Sequence, residues 1–382
     1  MKFVFVSHNY SPDIHSPGDW FARIKIYTGS LSCLSERHSV IRIERINYTG
    51  SCLHEGVQYY FGDYGKGKLH WPWALHRFVA ALHPDVVVVS GLHYPWQVIQ
   101  LRWRLGNEVV IIAQNHAEKP FTGIRKLLQR MADRCIDAYF FSSKEMGSDW
   151  VDRGNLADRR KIHEVMEVSS VFHPSDREMA RSTTGVQGQP VWLWVGRLDQ
   201  NKNPLMVLRA FLQYARVRPG PRLYMIFHTT ELLGEIERLL EGERADGKDG
   251  DREQGDRREV ILVGAQDHGR LQDWYSSADF IVSGSWYEGS GAAVCEAMSC
   301  GCIPILTDIP SFRMMTGHGR CGRLYAAGDQ QGLLAALMAT SDMDIASERR
   351  KTLEQFRSKL SFEAIAAGME EVAISLRNHG PA

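Results

Sequence analysis

The stretch ADFIVSGSWYEGSGAAVCEAMSCGCIPILTD, residues 278–308, decides the fold. ADFIVSG is an apolar run of strand length, SWYEGSG a glycine-rich loop, GAAVCEAMSC a helix-like run stopped by Gly301, and CIPILTD another strand-length apolar run. Strands apolar throughout, joined by a helix, belong to a parallel sheet covered on both faces. Glu296 is the anomaly. Its neighbours Val294, Cys295, Ala297 and Met298 leave the helix almost no polar face. A helix apolar nearly all round is buried, and a buried carboxylate without partners is costly. Glu296 must therefore face either a fixed internal donor or a ligand. The tendency of perturbed acids to cluster at binding sites favours the ligand.

The same grammar runs along the chain. KFVFVS at the start, DVVVVSG (85–91), EVVIIAQNH (108–116) and DAYFFSS (137–143) read as buried strands, separated by helical periodicity such as WALHRFVAALH. After residue 190 come VWLWVGRL, RLYMIFH, EVILVGA, ADFIVSG and CIPILTD, interleaved with helices such as NPLMVLRAFLQYARV. Two α/β layer domains of similar size are expected. The proline-bounded polar segment PSDREMARSTTGVQGQP (174–190) serves as the linker. The expected boundaries are 1–175, 188–360 and a terminal amphipathic helix with its tail, 361–382. The charged, glycine-containing insert at 241–259 reads as a solvated loop.

With 382 residues, 44% of them hydrophobic, the chain can build two cores. Lys plus Arg equals Asp plus Glu at 45 each, which removes the global basic footprint of a nucleic-acid binder. No run approaches the length of a membrane span, and MKFVFVSHNY reads as a first strand rather than a signal peptide. Seven scattered cysteines match neither a disulfide framework nor a zinc spacing, so buried thiols in a reducing, cytoplasmic setting are expected.

Two attractive motifs fail on context. GDYGKGKL (62–69) has phosphate-loop spacing, but Leu69 replaces the magnesium-binding hydroxyl and no helix signal follows. DMD (342–344) lies in a polar turn rather than at a strand end, and no metal site is expected. Two constellations survive. Glu288 sits on the loop after one strand and Glu296 in the following helix, with the backbone of Gly289, Ser290, Gly291 and Ala292 between them at a helix N-terminus suited to an anion. WVGRLDQNKNP (194–204) sets Gly196, Arg197 and Lys202 at another strand's carboxyl end, where two cations can meet a diphosphate.

The order and spacing of Gly196-Arg197-Leu198, Lys202, and the pair Glu288 and Glu296 resemble retaining glycosyltransferase family 4, the glycosyl transferases group 1 of GT-B fold. The resemblance is strong from about 191 to 330. It implies two Rossmann-like domains facing across a cleft, an acceptor-side first domain, a donor-side second one, and a C-terminal helix packed back on the first. It implies transfer of a sugar from a nucleoside diphosphate sugar, with retention, and no metal or other cofactor. Arg197 and Lys202 would hold the diphosphate, Glu296 the ribose hydroxyls, and Glu288 the donor sugar. In SHNYSPDIHSPGDW, Gly18 corresponds to the backbone that approaches the donor phosphate; in IIAQNHAEKP, His116 corresponds to a histidine near the donor sugar. Glu288, His116, Arg197 and Lys202 are thus the catalytic candidates. VMEVSSVFHP (165–174) departs from the family's proline-asparagine-glycine run, and DIPSFRMM lacks the glycines of another family loop.

A glycosidase using paired carboxylates, a nucleotide-sugar epimerase on the same fold and a degenerate nucleotide-sugar binder are the alternatives. The acceptor stays open among glycan, lipid-linked and small-molecule classes. In GIRKLLQRMADRC (123–135), Arg125, Lys126, Arg130 and Arg134 alternate with Ile124, Leu127, Leu128 and Met131. A basic face over an ordinary core helix is expected; a peripheral contact with an anionic membrane is the other reading. Trp71 and Trp73 either stack on sugars or fill core.

Overall fold

The computed structural model describes residues 1–64, 70–246 and 259–379, with the side chains of 25, 243–246 and 379 left out. Residues 65–69 of the phosphate-loop-like motif and 247–258 of the charged insert lie outside the described residues. The chain divides into two compact units, Met1–Val171 with Lys359–Ala382, and Phe172–Ser358.

Unit 1 comprises β1 (Lys2–Ser11), α1 (Pro17–Ser35), β2 (Ser39–Ile46), β3 (Gly50–His54), β4 (Val57–Phe61), α2 (Trp73–Ala81), β5 (Val86–Ser90), α3 (Pro95–Leu105), β6 (Val110–Gln114), α4 (Gly123–Asp133), β7 (Ala138–Phe141), α5 (Lys144–Asp152) and β8 (Ile162–Glu164). Its sheet order is β3-β4-β2-β1-β5-β6-β7-β8, parallel except for the β3–β4 hairpin. Strand order reverses direction between β1 and β5, which pair in the register Phe3↔Val86 to Ser7↔Ser90. The strands there are apolar because both faces are covered: Phe3, Val4, Val86 and Val87 are fully buried.

Unit 2 comprises α6 (Arg177–Thr184), β9 (Val191–Val195), α7 (Pro204–Val217), β10 (Arg222–Ile226), α8 (Leu233–Asp246), β11 (Val260–Gly264), α9 (Leu271–Ser277), β12 (Phe280–Ser283), α10 (Ala292–Ser299), β13 (Ile303–Thr307), α11 (Pro310–Met315), β14 (Arg323–Tyr325), α12 (Gln330–Met338) and α13 (Ile345–Gln355). Its parallel sheet runs β11-β10-β9-β12-β13-β14, reversing direction between β9 and β12. Trp192 of β9 stacks on Phe280 of β12 at 4.3 Å between ring centroids, at the centre of the core.

α14 (Phe362–His379) returns to unit 1 and lies on α1. The contact is close: a Cβ on Gly29 would come within 2.5 Å of the Phe362 ring. Glu370 of α14 accepts from Arg37 and His38, each at 2.8 Å.

Four expectations need revision. The segment 174–190 is no simple linker, since it contains α6, capped by Asp176 and clamped to the buried Asp279 through Arg177 at 2.5 Å and Arg181 at 3.5 Å. Its docking rests on charge, so apolar periodicity does not reveal it. Gly18 lies in the first turn of α1 rather than on a loop, because Ser16 accepts from Asp19 N and Pro17 begins the helix. α4 is not an ordinary core helix: Ile124, Leu127 and Met131 are 75%, 60% and 46% exposed. The aromatic pair Trp71 and Trp73 is surface, not core filling. The cysteines are free, four buried and three half-buried. Asp344 caps α13.

Candidate active site

Unit 2 assembles its polar residues where the sheet changes direction. In such sheets the loops leaving neighbouring strands diverge, and a crevice opens at their carboxyl ends. Gly196 follows β9 and donates its N–H to Ile226 O; Leu198 N donates to Thr229 Oγ1 at 2.7 Å. The loop then turns through Asp199 to Lys202 and enters α7. Glu288 lies on the loop after β12. Two hydrogen bonds stitch the loops together: Asn201 Nδ2 donates to Tyr287 O, and Trp286 N to Asn201 O, both at 2.9 Å. Through them Lys202 Nζ reaches Glu288 Oε1 at 2.5 Å, with side chains only 20% and 12% exposed. Arg197 is different. It is 58% exposed and pairs with Asp199 at 3.0 Å.

α10 starts immediately after this loop. Gly291 is its N-cap, at φ 59°, where a Cβ would also meet the Phe312 ring at 2.8 Å, so both backbone and packing require glycine. No side chain caps the helix, which leaves its positive end directed at the loop of Gly289 and Ser290. Ala292 and Ala293, which open the helix, are half-buried.

Glu296 is buried one turn further on, and both its oxygens have protein partners. Tyr275 OH donates to Oε2 at 3.0 Å, and His268 Nε2 lies 2.7 Å from Oε1. Glu296 therefore has internal donors in this structure. The two partners are unequal. Tyr275 is fully buried, and burial followed by the Glu296 charge holds its phenol well above its ordinary value, so it stays a donor. His268 is half exposed, on a short 3₁₀ turn after β11, its ring 4.9 Å from that of Phe172. Sequence reasoning missed both partners, which lie 21 and 28 positions away from Glu296.

Unit 1 has its own cleft at the reversal between β1 and β5, about 410 Å³ in volume. Asn9 lies near the end of β1, Gly91 and His93 follow β5, and His116 and Glu118 follow β6. Glu118 is nearly fully buried and accepts from Leu92 N at 2.8 Å, Asn115 Nδ2 at 2.9 Å and His116 N at 2.5 Å. Gly91, at φ 81°, lies so close that a Cβ would sit 2.9 Å from Glu118. His116 Nδ1 makes a short contact with the buried carboxylate of Glu167. Burial alone would lower the pKa of His116, but the hydrogen bond and charge of Glu167, reinforced by Glu118, outweigh it and raise the pKa. Glu167 comes from VMEVSSVFHP, the segment that departs from the family pattern. Its signal was the one used for Glu296, a lone carboxylate in an apolar run.

Residues 176–356 match the family model described as glycosyl transferases group 1. The match covers almost the whole of unit 2, Phe172–Ser358. Over 184 residues the chain is 28% identical to D-inositol 3-phosphate glycosyltransferase 2 of Catenulispora acidiphila, covering 45% of this chain and 40% of that protein. Over 98 residues it is 38% identical to GDP-mannose:cellobiosyl-diphosphopolyprenol alpha-mannosyltransferase of Xanthomonas oryzae pv. oryzae, covering 24% and 26%. The matched stretches thus span half or less of these curated relatives. The whole fold resembles a sucrose-phosphate synthase from Thermosynechococcus elongatus with a TM-score of 0.69 at 18% identity, covering 98% of each chain. The two parallel-sheet, Rossmann-like units therefore share the GT-B type of fold with that structure. Among the described residues no helix is long and apolar enough to cross a membrane.

Proposed function

We propose that this protein is a retaining glycosyltransferase that moves a sugar from a nucleoside diphosphate sugar to a hydroxyl acceptor without a metal or resident cofactor. The observation that carries the reading is the Lys202–Glu288 pair, held between two stitched loops at the strand-order reversal of unit 2 and followed by the uncapped N-terminus of α10. A mostly buried lysine beside a helix N-terminus is a diphosphate site in chemical terms.

On donor binding, the diphosphate takes Lys202 from Glu288 and lies against the amides of Gly289, Ser290, Gly291 and Ala292, with Arg197 turning from Asp199 to cover it. Glu288, released, accepts from the donor sugar's hydroxyls. Glu296 keeps Tyr275 and exchanges the exposed His268 for the ribose hydroxyls. As the anomeric C–O bond to phosphate breaks, the leaving diphosphate gains charge, which Lys202, Arg197 and the helix amides stabilise without reorganisation. The acceptor oxygen bonds to the same face of the anomeric carbon and passes its proton to the departing diphosphate oxygen on that face. Gly196 provides backbone without a side chain near phosphate. The unit 1 cleft, with His116 set by Glu167, takes the acceptor, a glycan, lipid-linked or small-molecule hydroxyl. A peripheral membrane contact in the cytoplasm accords with a lipid-linked acceptor.

The test is thermal unfolding with UDP, GDP, ADP and TDP, followed by product analysis with the matching sugar nucleotide. A ligand at about 100 times its Kd adds roughly 2.7 kcal/mol to the native state. Stabilisation by one nucleotide, lost in Lys202→Met, and a new glycoside formed in the presence of EDTA, support the reading. No stabilisation by any of the four, or an isomerised donor without a glycoside, refutes it.

A further inference from the structure

α4 faces the wrong way for a core helix. At 3.6 residues per turn, Ile124, Leu127 and Met131 fall on one stripe, and that stripe points to solvent. The buried side is instead Gln129, Ala132 and Asp133. Asp133 is the helix's only acid and is consumed inside, accepting from Tyr139 OH at 2.9 Å and Ala157 N at 3.0 Å. Arg125, Arg130 and Arg134 are exposed, and Lys126 is half-buried. α4 therefore presents an apolar stripe bordered by cations and by no exposed acid of its own.

The neighbouring surface continues the pattern. α3, which packs on α4, carries Trp103 with 64% of its surface exposed. From it a ladder of indoles runs edge to face through Trp96 at 5.8 Å to Trp71 at 5.5 Å, and then stacks on Trp73 at 5.8 Å. Trp71 and Trp73 are 47% and 51% exposed. Indoles have an apolar body and a polar N–H, the combination that settles at the headgroup level of a bilayer. Arginine beside them can bury its stem and keep its charge at phosphate.

We propose that the exposed face of α4 together with the Trp71–Trp73–Trp96–Trp103 ladder is a docking surface for a bilayer of anionic lipid. Charge decides between occupants. Two copies of α4 packed face to face would oppose arginine to arginine, which is repulsive, whereas an anionic headgroup layer complements Arg125, Arg130 and Arg134. The proposal does not rest on the glycosyl transfer reading, because docking needs neither donor nor turnover.

The test is co-sedimentation of the full chain with vesicles of phosphatidylcholine, with or without phosphatidylglycerol, at low and high salt and with no nucleotide present. The wild type should pellet with the anionic vesicles, less so at high salt. Leu127→Glu with Met131→Glu should lower retention about tenfold or more, with the melting temperature of the free protein unchanged because both side chains are exposed. Arg130→Glu with Arg134→Glu should remove the preference for phosphatidylglycerol. Failure of the folded wild type to bind anionic vesicles overturns the proposal, as does undiminished binding by Leu127→Glu/Met131→Glu. Loss of a solution dimer in that variant without any vesicle binding assigns the surface to a second copy instead.

Discussion

Replacing Glu288 by glutamine should tighten nucleoside diphosphate binding while lowering turnover. At 2.5 Å, Lys202 and Glu288 attract by about 7 kcal/mol at an effective dielectric of about 20, before desolvation. A diphosphate must break that contact and then lie beside the carboxylate. Glutamine keeps the shape and one hydrogen bond but removes both the competition and the repulsion. If only about a fifth of the gross attraction survives as a net term, about 1.4 kcal/mol, Kd falls about tenfold. The catalytic step should suffer, because the neutral amide no longer accepts strongly from the sugar hydroxyls. Calorimetric titration with UDP and GDP reads the first effect and product formation the second. Lys202→Met should behave oppositely, weakening the nucleotide and leaving a mostly buried carboxylate unpaired at a cost of about 3–5 kcal/mol, partly recovered by adding Glu288→Gln. A Glu288→Gln protein that binds the same nucleotide no more tightly than wild type would refute the competition.

Arg197→Ala should cost less affinity than Lys202→Met and almost no stability, since its pair with Asp199 is solvent-screened; equal losses in titration would mean that the two cations act alike. Gly291→Ala should destabilise unit 2 by about 1–3 kcal/mol through the positive φ, with the Phe312 contact adding to it, read by denaturant unfolding. His116 has a raised pKa in the folded state, so its pairing with Glu167 stabilises fully below the ordinary histidine pKa of about 6.5 and fades as pH rises through the folded value. The stability gap between wild type and Glu167→Gln should accordingly narrow from mildly acidic to alkaline pH, and a gap that widens would reverse the assignment. His76, fully buried with its Nε2 3.0 Å from His8 Nε2, is pushed by burial down to about 4. Its unfolded form binds protons first, so stability should decline as pH falls from about 6.5 to 4, by on the order of 3 kcal/mol for this group, and His76→Gln should flatten that decline.

The parts of the fold legible in the sequence are those whose chemistry is local. β5, β6, β9, β12 and β13 are apolar on both faces, so each announces itself within about five residues. β2 does not, because SVIRIERI carries Arg42, Glu44 and Arg45 inside a strand. Arg45 is nonetheless buried, donating to His8 O at 2.7 Å and Asp63 O at 3.1 Å, bonds that depend on which strand lies alongside. α6 was hidden for the same reason, its seat on Asp279 being made of arginines.

The candidate site divides along the same line. A carboxylate in an apolar run has to be partnered, and this rule, drawn from desolvation alone, located Glu296; applied evenly it would also have located Glu167. It does not say what the partner is. Tyr275 and His268 meet Glu296 only because α9 and the turn after β11 pack beside α10, just as His116 meets Glu167 only because β6 ends at the cleft of unit 1. Sequence spacing did place Lys202 and Glu288 at strand ends. What joins them is the strand order, which makes β9 and β12 neighbours although β10 and β11 intervene in the chain. The reversal of strand order thus converts two moderate local motifs into one pair at 2.5 Å. A change that moved either loop without touching Lys202 or Glu288, such as Asn201→Ala, which removes the side-chain stitch to Tyr287 O, should therefore weaken nucleotide binding while leaving both charges in place. Unchanged affinity in that variant would show that the strands alone, without the stitch, hold the pair together.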